Sequence, residues 1–589
     1  MQTINKILFL LSPNERKSAA WLFVMILIMA FLDMIGVASI LPFMAVLTNP
    51  EIIETNLIVN YLYRTSNFFG VNNTQQFLIA LGILVFLLLV ISLSFKALTT
   101  YFQVRFVQMR EYSLGKRLVE GYLNQPYSWF LSRNSADLGK TILSETGQVV
   151  GNGIRPLLEL LAKGTITIAL ITLLILNDPK LATIVGLLLG TIYCIAFIFM
   201  RGFLGKIGKE RLFNNRTRFT TLSEAFGASK EIKLAGLEKI YVNRFSNSAK
   251  NYADNMASSQ VISQLPRYIL EIIAFGGIMV LLLYLIIQTG SFGKALPTIS
   301  LYAFAGYRLM PALQEIYAAF TQLTFVGPSL DSLIEDIKNL KSNNLKLDVN
   351  RMIPYKTIKL KNVHYDYPNS SRTALNNINI DINVKTTVGI IGSTGSGKTT
   401  AVDIILGLLE PKIGQLEVDG KIISSQNLRS WQNSIGYVPQ HVYLADDTIA
   451  KNIAFGLESH EINLEAIQKA SRIANLHEFV TNELTEQYQT SIGERGVRLS
   501  GGQRQRIGIA RALYHEPKIL ILDEATSSLD NQTEKVVMDA VNNLGKDLTI
   551  IIIAHRLSTV RKCDVIFKLD KGKIVGEGTF SEILGNTKI

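Results

Sequence analysis

Charge and sulfur are both scarce in this chain. Only 18% of its 589 residues are charged and 48% are apolar, a balance too greasy for a wholly soluble protein. There are two cysteines, Cys194 in an apolar run and Cys563 in the more polar half. That separation argues against a structural disulfide. Neither cysteine has the neighbours a zinc site needs, so both read as inert packing residues. The first apolar run lacks the marks of a signal peptide: it is too long for an h-region, and no small-x-small cleavage site ends it. No cysteine-protease segment precedes it, which counts against an exporter that matures peptides. The net charge of +12 does not point to nucleic acid. The basic residues fall between apolar runs, as loops held on the cytoplasmic side of a membrane do, and no nucleic-acid partner is expected.

The length implies more than one domain. Long apolar runs fill residues 1–330, a linker is expected over 331–355, and 356–589 reads as a soluble α/β domain. A spanning helix needs roughly 20 mostly apolar residues. Six runs qualify, at about 19–47, 77–98, 156–176, 180–200, 266–287 and 295–320. The segment 48–75 carries one basic residue, Arg64, and the turns after the third and fifth runs carry Lys180 and Lys294. The stretches 99–155 and 201–265 are far more basic, which places them, the N-terminus and everything after the sixth run in the cytoplasm. Both stretches, "QVRFVQMREYSLGKRLVEGYL" and "RLFNNRTRFTTLSEAFGASKEIKLAGLEKIYVNRF", keep helical apolar spacing. They read as helices that carry the spans on into the cytoplasm and turn at "NQPYSWFLSRNSADLG" and "KEIKLAGLEK".

Residues 388–400, "VGIIGSTGSGKTT", are a short strand, a glycine-rich loop and the start of a helix. Gly392, Gly395 and Gly397 let the backbone fold tightly around Ser393, Thr394 and Ser396, so that its N–H groups face phosphates. Lys398 reaches the β and γ phosphates, and Thr399, followed by Thr400, offers a hydroxyl to Mg2+. The helix N-terminus adds partial positive charge. Residues 519–524, "ILILDE", form a buried strand ending in two carboxylates. Asp523 suits the surroundings of magnesium and Glu524 suits polarising an attacking water. ATP and Mg2+ are therefore the expected cofactors, and the domain is expected to hydrolyse ATP.

"LSGGQ" at 499–503, followed by "RQRIGIARAL", resembles the ABC transporter signature. The resemblance implies that Ser500, Gly501, Gly502 and Gln503 bind the γ phosphate held by a second copy of the domain. It also implies that Tyr367 in "HYDYP" stacks on adenine and that Gln440 in "GYVPQ" is the Q-loop glutamine, a magnesium ligand beside Thr399 and Asp523. Ser528, Leu529 and Asp530 match the D-loop, and His555 in "IIIAHRLS" matches the switch histidine that contacts the γ phosphate. Glu524, Gln440 and His555 would be the catalytic set. Six spans followed by one nucleotide-binding domain look like an exporter half-transporter acting as a homodimer, with the turns near Pro126–Phe130 and Ala235–Glu238 as coupling elements.

The cargo is argued from charges inside the spans. Lys96, Arg267 and Arg308 lie in or at apolar runs, and such charges face a cavity or a partner. In one reading they are paired or snorkelling: Glu271 follows Arg267 by four residues, and Asp33, Glu159 and Lys163 are further pair candidates. In the other they line a cavity and grip phosphate, to which an arginine fork is suited. The contexts "SFKALTTY", "QLPRYILE" and "AGYRLMPAL" resemble bacterial flippases for lipid-linked oligosaccharides, of the kind that serves protein N-glycosylation. Lys96 departs from that pattern, in which an arginine is expected. The resemblance implies a polyprenyl-pyrophosphate oligosaccharide as substrate, flipped across the cytoplasmic (inner) membrane. Exporters of drugs, peptides or lipid A share every nucleotide motif and are the alternative.

Overall fold

The computed structural model describes residues 2–67, 70, 71, 73–177, 179–289, 292–340, 350–368, 372–526, 528–544, 547–554, 556 and 559–585; within helices between 179 and 299 many side chains are not described. The chain divides into two compact units: Met1–Leu123 with Arg133–Ser342, and Asn124–Ser132 with Asn343–Ile589.

The first unit is helical. Its first long helix, Pro13–Ala38, starts where the sequence says it should: Ser12 and Glu15 form a reciprocal capping box and Pro13 occupies the first turn. The helix stops at Ser39 and a second piece continues over Ile40–Thr48. The helices Thr74–Leu123, Pro179–Gly227, Glu238–Thr289 and Phe292–Asn339 run to 50, 49, 52 and 48 residues. At 1.5 Å per residue a 50-residue helix is about 75 Å long, against a hydrocarbon core of about 30 Å, so each must project well beyond a bilayer. Four stretches are long and apolar enough to cross one: Pro13–Thr48, Thr74–Leu123, Ser135–Leu176 and Gly190–Gly227. The fifth and sixth expected spans fall in Glu238–Thr289 and Phe292–Asn339, mostly on side chains outside the described set.

Two features depart from the sequence reading. Residues 48–75 form short helices, Ile52–Thr55 and Leu57–Asn67, where a loop was expected. They are held by a small core of Val46, Ile53, Val59, Phe77 and Leu81, which pulls apolar residues out of an otherwise polar connection. The helix over Ser135–Leu176 contains two π-helical turns, Thr141–Glu145 and Val150–Ile154. Beside the first, buried Glu145 bonds Arg211 at 2.7 Å and Asn215 at 2.6 Å, and Arg211 also bonds Ser329. Close helix approach explains Gly208, where a Cβ would collide with the Phe325 carbonyl.

The second unit holds ten strands. Strands β1 (Thr357–Asp366), β2 (Thr373–Asn383), β4 (Ile413–Val418) and β5 (Lys421–Ile422) form an antiparallel sheet ordered β2-β1-β4-β5. Strands β3 (Thr387–Gly392), β6 (Ile435–Val438), β7 (Ile519–Asp523), β8 (Thr549–Ile553), β9 (Val565–Asp570) and β10 (Lys573–Gly578) form the second, ordered β10-β9-β3-β8-β7-β6. All its pairings are parallel except β9 with β10. β7 and β8 are buried at every position, as strands covered on both faces must be. Alternate residues feed two cores, Ile519, Ile521, Ile551 and Ile553 on one face, Leu520, Leu522, Ile550 and Ile552 on the other.

Candidate nucleotide site and membrane charges

Register brings the motif residues together. Ile390 of β3 and Asp523 of β7 both lie opposite Ile553 of β8, so the phosphate loop, the two carboxylates and the segment after β8 leave the same carboxyl edge of the sheet. Parallel sheets place ligand sites at that edge. The loop keeps its shape through glycine: at Gly392 a Cβ would collide with the Leu569 carbonyl, and Gly397 sits at φ +102° with Leu375 and the Ala374 carbonyl against it. Lys398 folds back, donating to the carbonyls of Gly392 at 2.9 Å and Ser393 at 3.1 Å. Burial lowers the Lys398 ammonium from its ordinary range, while Glu524 and Asp523 hold it up. Ser396 is 1% exposed and its Oγ has no protein partner. A buried hydroxyl pointed into a glycine cradle fits a phosphate oxygen.

A cavity of about 270 Å³ opens beside this loop, lined by Tyr367, Gly395, Gly397, Lys398, Thr399 and Thr400 among others. The Tyr367 hydroxyl bonds Thr400 Oγ1 at 2.9 Å. Ser393 and Thr394 are exposed on the loop. Sequence reasoning missed four further wall residues, Arg372, Thr373, Lys571 and Gly572. Gly572 braces the loop, since its N–H donates to the Ser396 carbonyl at 2.9 Å and its own carbonyl accepts from Asn376 at 2.8 Å. The one signal for this was "DKG" between two strand patterns, a tight-turn sequence.

Glu524 stands at φ +48°, a strained conformation for a side chain of its size, with its N–H on the Ile553 carbonyl at 3.1 Å. Gln440 Nε2 donates to its Oε2 at 2.8 Å. Tyr437 donates to Asp523 Oδ2 at 3.4 Å. Behind them lies a carboxyl the motifs do not name. Asp403, in the helix Lys398–Ile405, is pushed up to about 6 by burial and by the Asp523 charge. The phenol of Tyr127, from the turn segment that belongs to this unit, is raised by burial and by Asp403. His555 lies outside the described residues.

The helix Gly501–Tyr514 opens on a capping box in which Gln503 N–H donates to Ser500 Oγ at 3.2 Å and Ser500 N–H to Gln503 Oε1 at 2.8 Å. Gly501 and Gly502 face Ser528 and Leu529 so closely that a Cβ on either would sit 3.3 Å from them. Asp530 caps the next helix, Asn531–Leu544, accepting from Gln532 at 3.1 Å and Thr533 at 2.9 Å. None of Ser500–Gln503 lines the nucleotide cavity. Among the described residues no cluster of three His, Cys, Asp or Glu could enclose a metal. That suits magnesium held by few protein oxygens and by phosphates.

Two family descriptions match, "ABC transporter" over residues 375–527 and "ABC transporter transmembrane region" over 53–307. The chain is 31% identical over 480 residues to an ATP-dependent lipid A-core flippase of Saccharophagus degradans, covering 81% of this chain and 80% of that one. It belongs to the ABC transporter family. A second relative is the leukotoxin export ATP-binding protein LtxB of Aggregatibacter actinomycetemcomitans, 30% identical over 532 residues, 88% of this chain and 72% of that one. The solved structure of a bacterial Atm1-family ABC exporter with ATP bound superposes with a TM-score of 0.76 at 21% identity, over 98% of this chain and 97% of that one, and so shares the fold. This ABC exporter is an ATPase that couples hydrolysis to transport, and its half-transporter layout suggests a membrane-bound dimer.

The transporter's intramembrane charges are mostly paired. Arg308 bonds Asp33, whose Oδ1 also accepts from Ser92 at 2.8 Å. Arg267 pairs with Glu271 at 2.8 Å. Glu159 and Lys163 do not pair with each other: Glu159 takes Arg155 at 2.8 Å, and Lys163 reaches another helix at Glu315, 3.0 Å away. Both 155 and 163 are four residues from Glu159, so sequence spacing could not choose between them. Lys96 is half-buried, and no ion pair to it is found among the described residues.

Proposed function

We propose that this transporter flips a lipid-linked, polyprenyl-pyrophosphate oligosaccharide or related glycolipid across the cytoplasmic membrane. The nucleotide-binding part (356–589), the N-terminus and the turns near Pro126–Phe130 and Ala235–Glu238 would lie in the cytoplasm, and the linker over 331–355 would join the parts. The observation that carries the cargo reading is Lys96, a half-buried cation in an apolar helix with no ion pair among the described residues. A charge in that setting needs a partner, and a substrate phosphate is one. Arg267 and Arg308 would act with it by exchanging their carboxylate partners for phosphate. A lipid A or toxin cargo is the second reading, supported by the names of the relatives.

ATP would be held by Tyr367 on adenine and by the loop Gly392, Ser393, Thr394, Gly395, Ser396, Gly397, Lys398, Thr399 and Thr400 on phosphates. Ser500, Gly501, Gly502, Gln503 and Asp530 of a second copy would close the site, which fits a cavity that they do not line in one chain. Magnesium, when bound beside Thr399, Gln440 and Asp523, would neutralise charge on the β and γ phosphate oxygens. Glu524 would orient and polarise the attacking water, and His555 would contact the γ phosphate. The turn segment Asn124–Ser132 belongs to the nucleotide-binding unit, which supports its role as a coupling element.

ATP-driven flipping of a fluorescent polyprenyl-pyrophosphate oligosaccharide in sealed proteoliposomes tests this, with Glu524→Gln as the inactive control. Flipping that requires ATP and fails in Lys96→Ala supports the reading. Hydrolysis without flipping overturns the cargo and favours the second reading.

A further inference from the structure

We propose that Glu534 is a positioning residue for ATP hydrolysis. It would clamp the segment after Glu524 to the segment carrying His555, so that the two sides of the reacting phosphate are set together. The proposal rests on the assignment of those two residues above. Glu534 lies in the first turn of the helix Asn531–Leu544, and only 8% of it is exposed. Its Oε1 accepts from Thr526 Oγ1 at 3.0 Å and from Thr559 Oγ1 at 3.0 Å, and its Oε2 accepts from Arg556 at 2.9 Å. Thr526 is two residues after Glu524. Arg556 directly follows His555, and Thr559 comes three later. One carboxylate therefore takes three hydrogen bonds from two loops, each of which leaves the carboxyl end of a catalytic strand. A charge so nearly buried is tolerable only because its oxygens are satisfied from both sides.

The clamp continues on the far side. Gln505, 4% exposed in the helix that begins at the signature motif, accepts from the Ser528 N–H at 2.9 Å and donates toward the Glu524 carbonyl at 3.5 Å. The stretch 524–530 is thus gripped by Gln505 from the signature helix and by Glu534 from the helix after it. Between Glu524 and Arg556 lies a cavity of about 150 Å³, lined by Thr526, Met538 and Thr559 among others. With so much open space beside Glu524, packing alone leaves the two loops free to shift against each other. Glu534 supplies the bonds that packing does not.

The test is steady-state ATPase kinetics of the full-length protein in nanodiscs, with thermal melting of the nucleotide-free protein alongside. Glu534→Ala removes all three bonds. Glu534→Gln keeps the shape and an acceptor oxygen but loses the ion pair. The expected result is a kcat lower by about 10- to 100-fold in Glu534→Ala, with KM for ATP within about twofold. Glu534→Gln should fall between it and wild type, with a melting temperature close to wild type. In a His555→Ala background, Glu534→Ala should cost little more, because both act through the same group. Wild-type kcat, a raised KM alone, or a loss that multiplies fully with that of His555→Ala would overturn the proposal. If His555→Ala itself hydrolyses normally, the underlying site assignment fails instead, and the single variants separate the two failures.

Discussion

Cutting Arg308 away from Asp33 should cost the membrane unit more than it costs the chemistry. The Asp33 carboxylate is 2% exposed and the Arg308 guanidinium 16%. With Arg308→Ala, Asp33 keeps only the Ser92 hydroxyl at 2.8 Å. Breaking one side of a buried pair costs about 3–5 kcal/mol, because the remaining charge stays buried and uncompensated. That is roughly a hundred- to several-thousand-fold in the folding equilibrium. Asp33→Asn should cost a similar amount by stranding the guanidinium. The double variant, Asp33→Asn with Arg308→Ala, strands neither charge and should recover most of the loss, a coupling of about 2 kcal/mol or more. SDS-induced unfolding in mixed micelles measures all four proteins, with ATPase rate as a parallel readout. Single variants as stable as wild type, with coupling below about 0.5 kcal/mol, would refute the structural role and leave Arg308 to the cargo alone.

Three shorter expectations accompany it. Glu524→Gln should bind and trap ATP while phosphate release falls at least about 100-fold; an unchanged rate would remove Glu524 from the reaction. Asp403 holds its proton to about pH 6 when folded, against an ordinary value of 3.8, so its contribution to stability is full below about pH 4 and is lost as pH rises through 6. Asp403→Asn should therefore be more stable than wild type at pH 7.5, by on the order of 2–3 kcal/mol, with the gap closing toward pH 4. Nucleotide-free melts with chelator check this, and a gap independent of pH would contradict it. Burial pushes the Cys563 thiol up to about 12, so iodoacetamide should modify it only after unfolding, as read by mass spectrometry; modification of the native protein would mean that the nucleotide-binding core opens there.

The nucleotide cradle was legible because its demands are local. Gly392 and Gly397 stand where no side chain fits, and Lys398 and Thr399 must follow them directly, so a short window holds the whole message. The Arg267–Glu271 pair was legible for the same reason, being one helical turn long. Pairs that close over long distances were not. Asp33 was visible as a charge in need of a partner, but Arg308 is 275 residues away, and nothing in either neighbourhood names the other. Lys163 likewise reaches past Glu159 to Glu315. Gly572, Glu534 and Gln505 brace the site through tertiary contacts and carry no motif of their own. Asp403 sat in plain view within "TTAVDII", yet its unusual proton affinity comes from burial beside Asp523, on another element.

The π turns at Thr141–Glu145 and Val150–Ile154 make chain length itself a specified quantity. Each such turn spans one residue more between bonded partners than an α turn. Removing one residue from the first would let it relax to α geometry, and everything on one side would rotate by about 100°. Glu145 would then swing off Arg211, and a buried guanidinium would lose its counter-charge. A deletion that changes no side chain can therefore do the damage of a charge mutation, and natural variants of this stretch are expected to vary in composition before they vary in length.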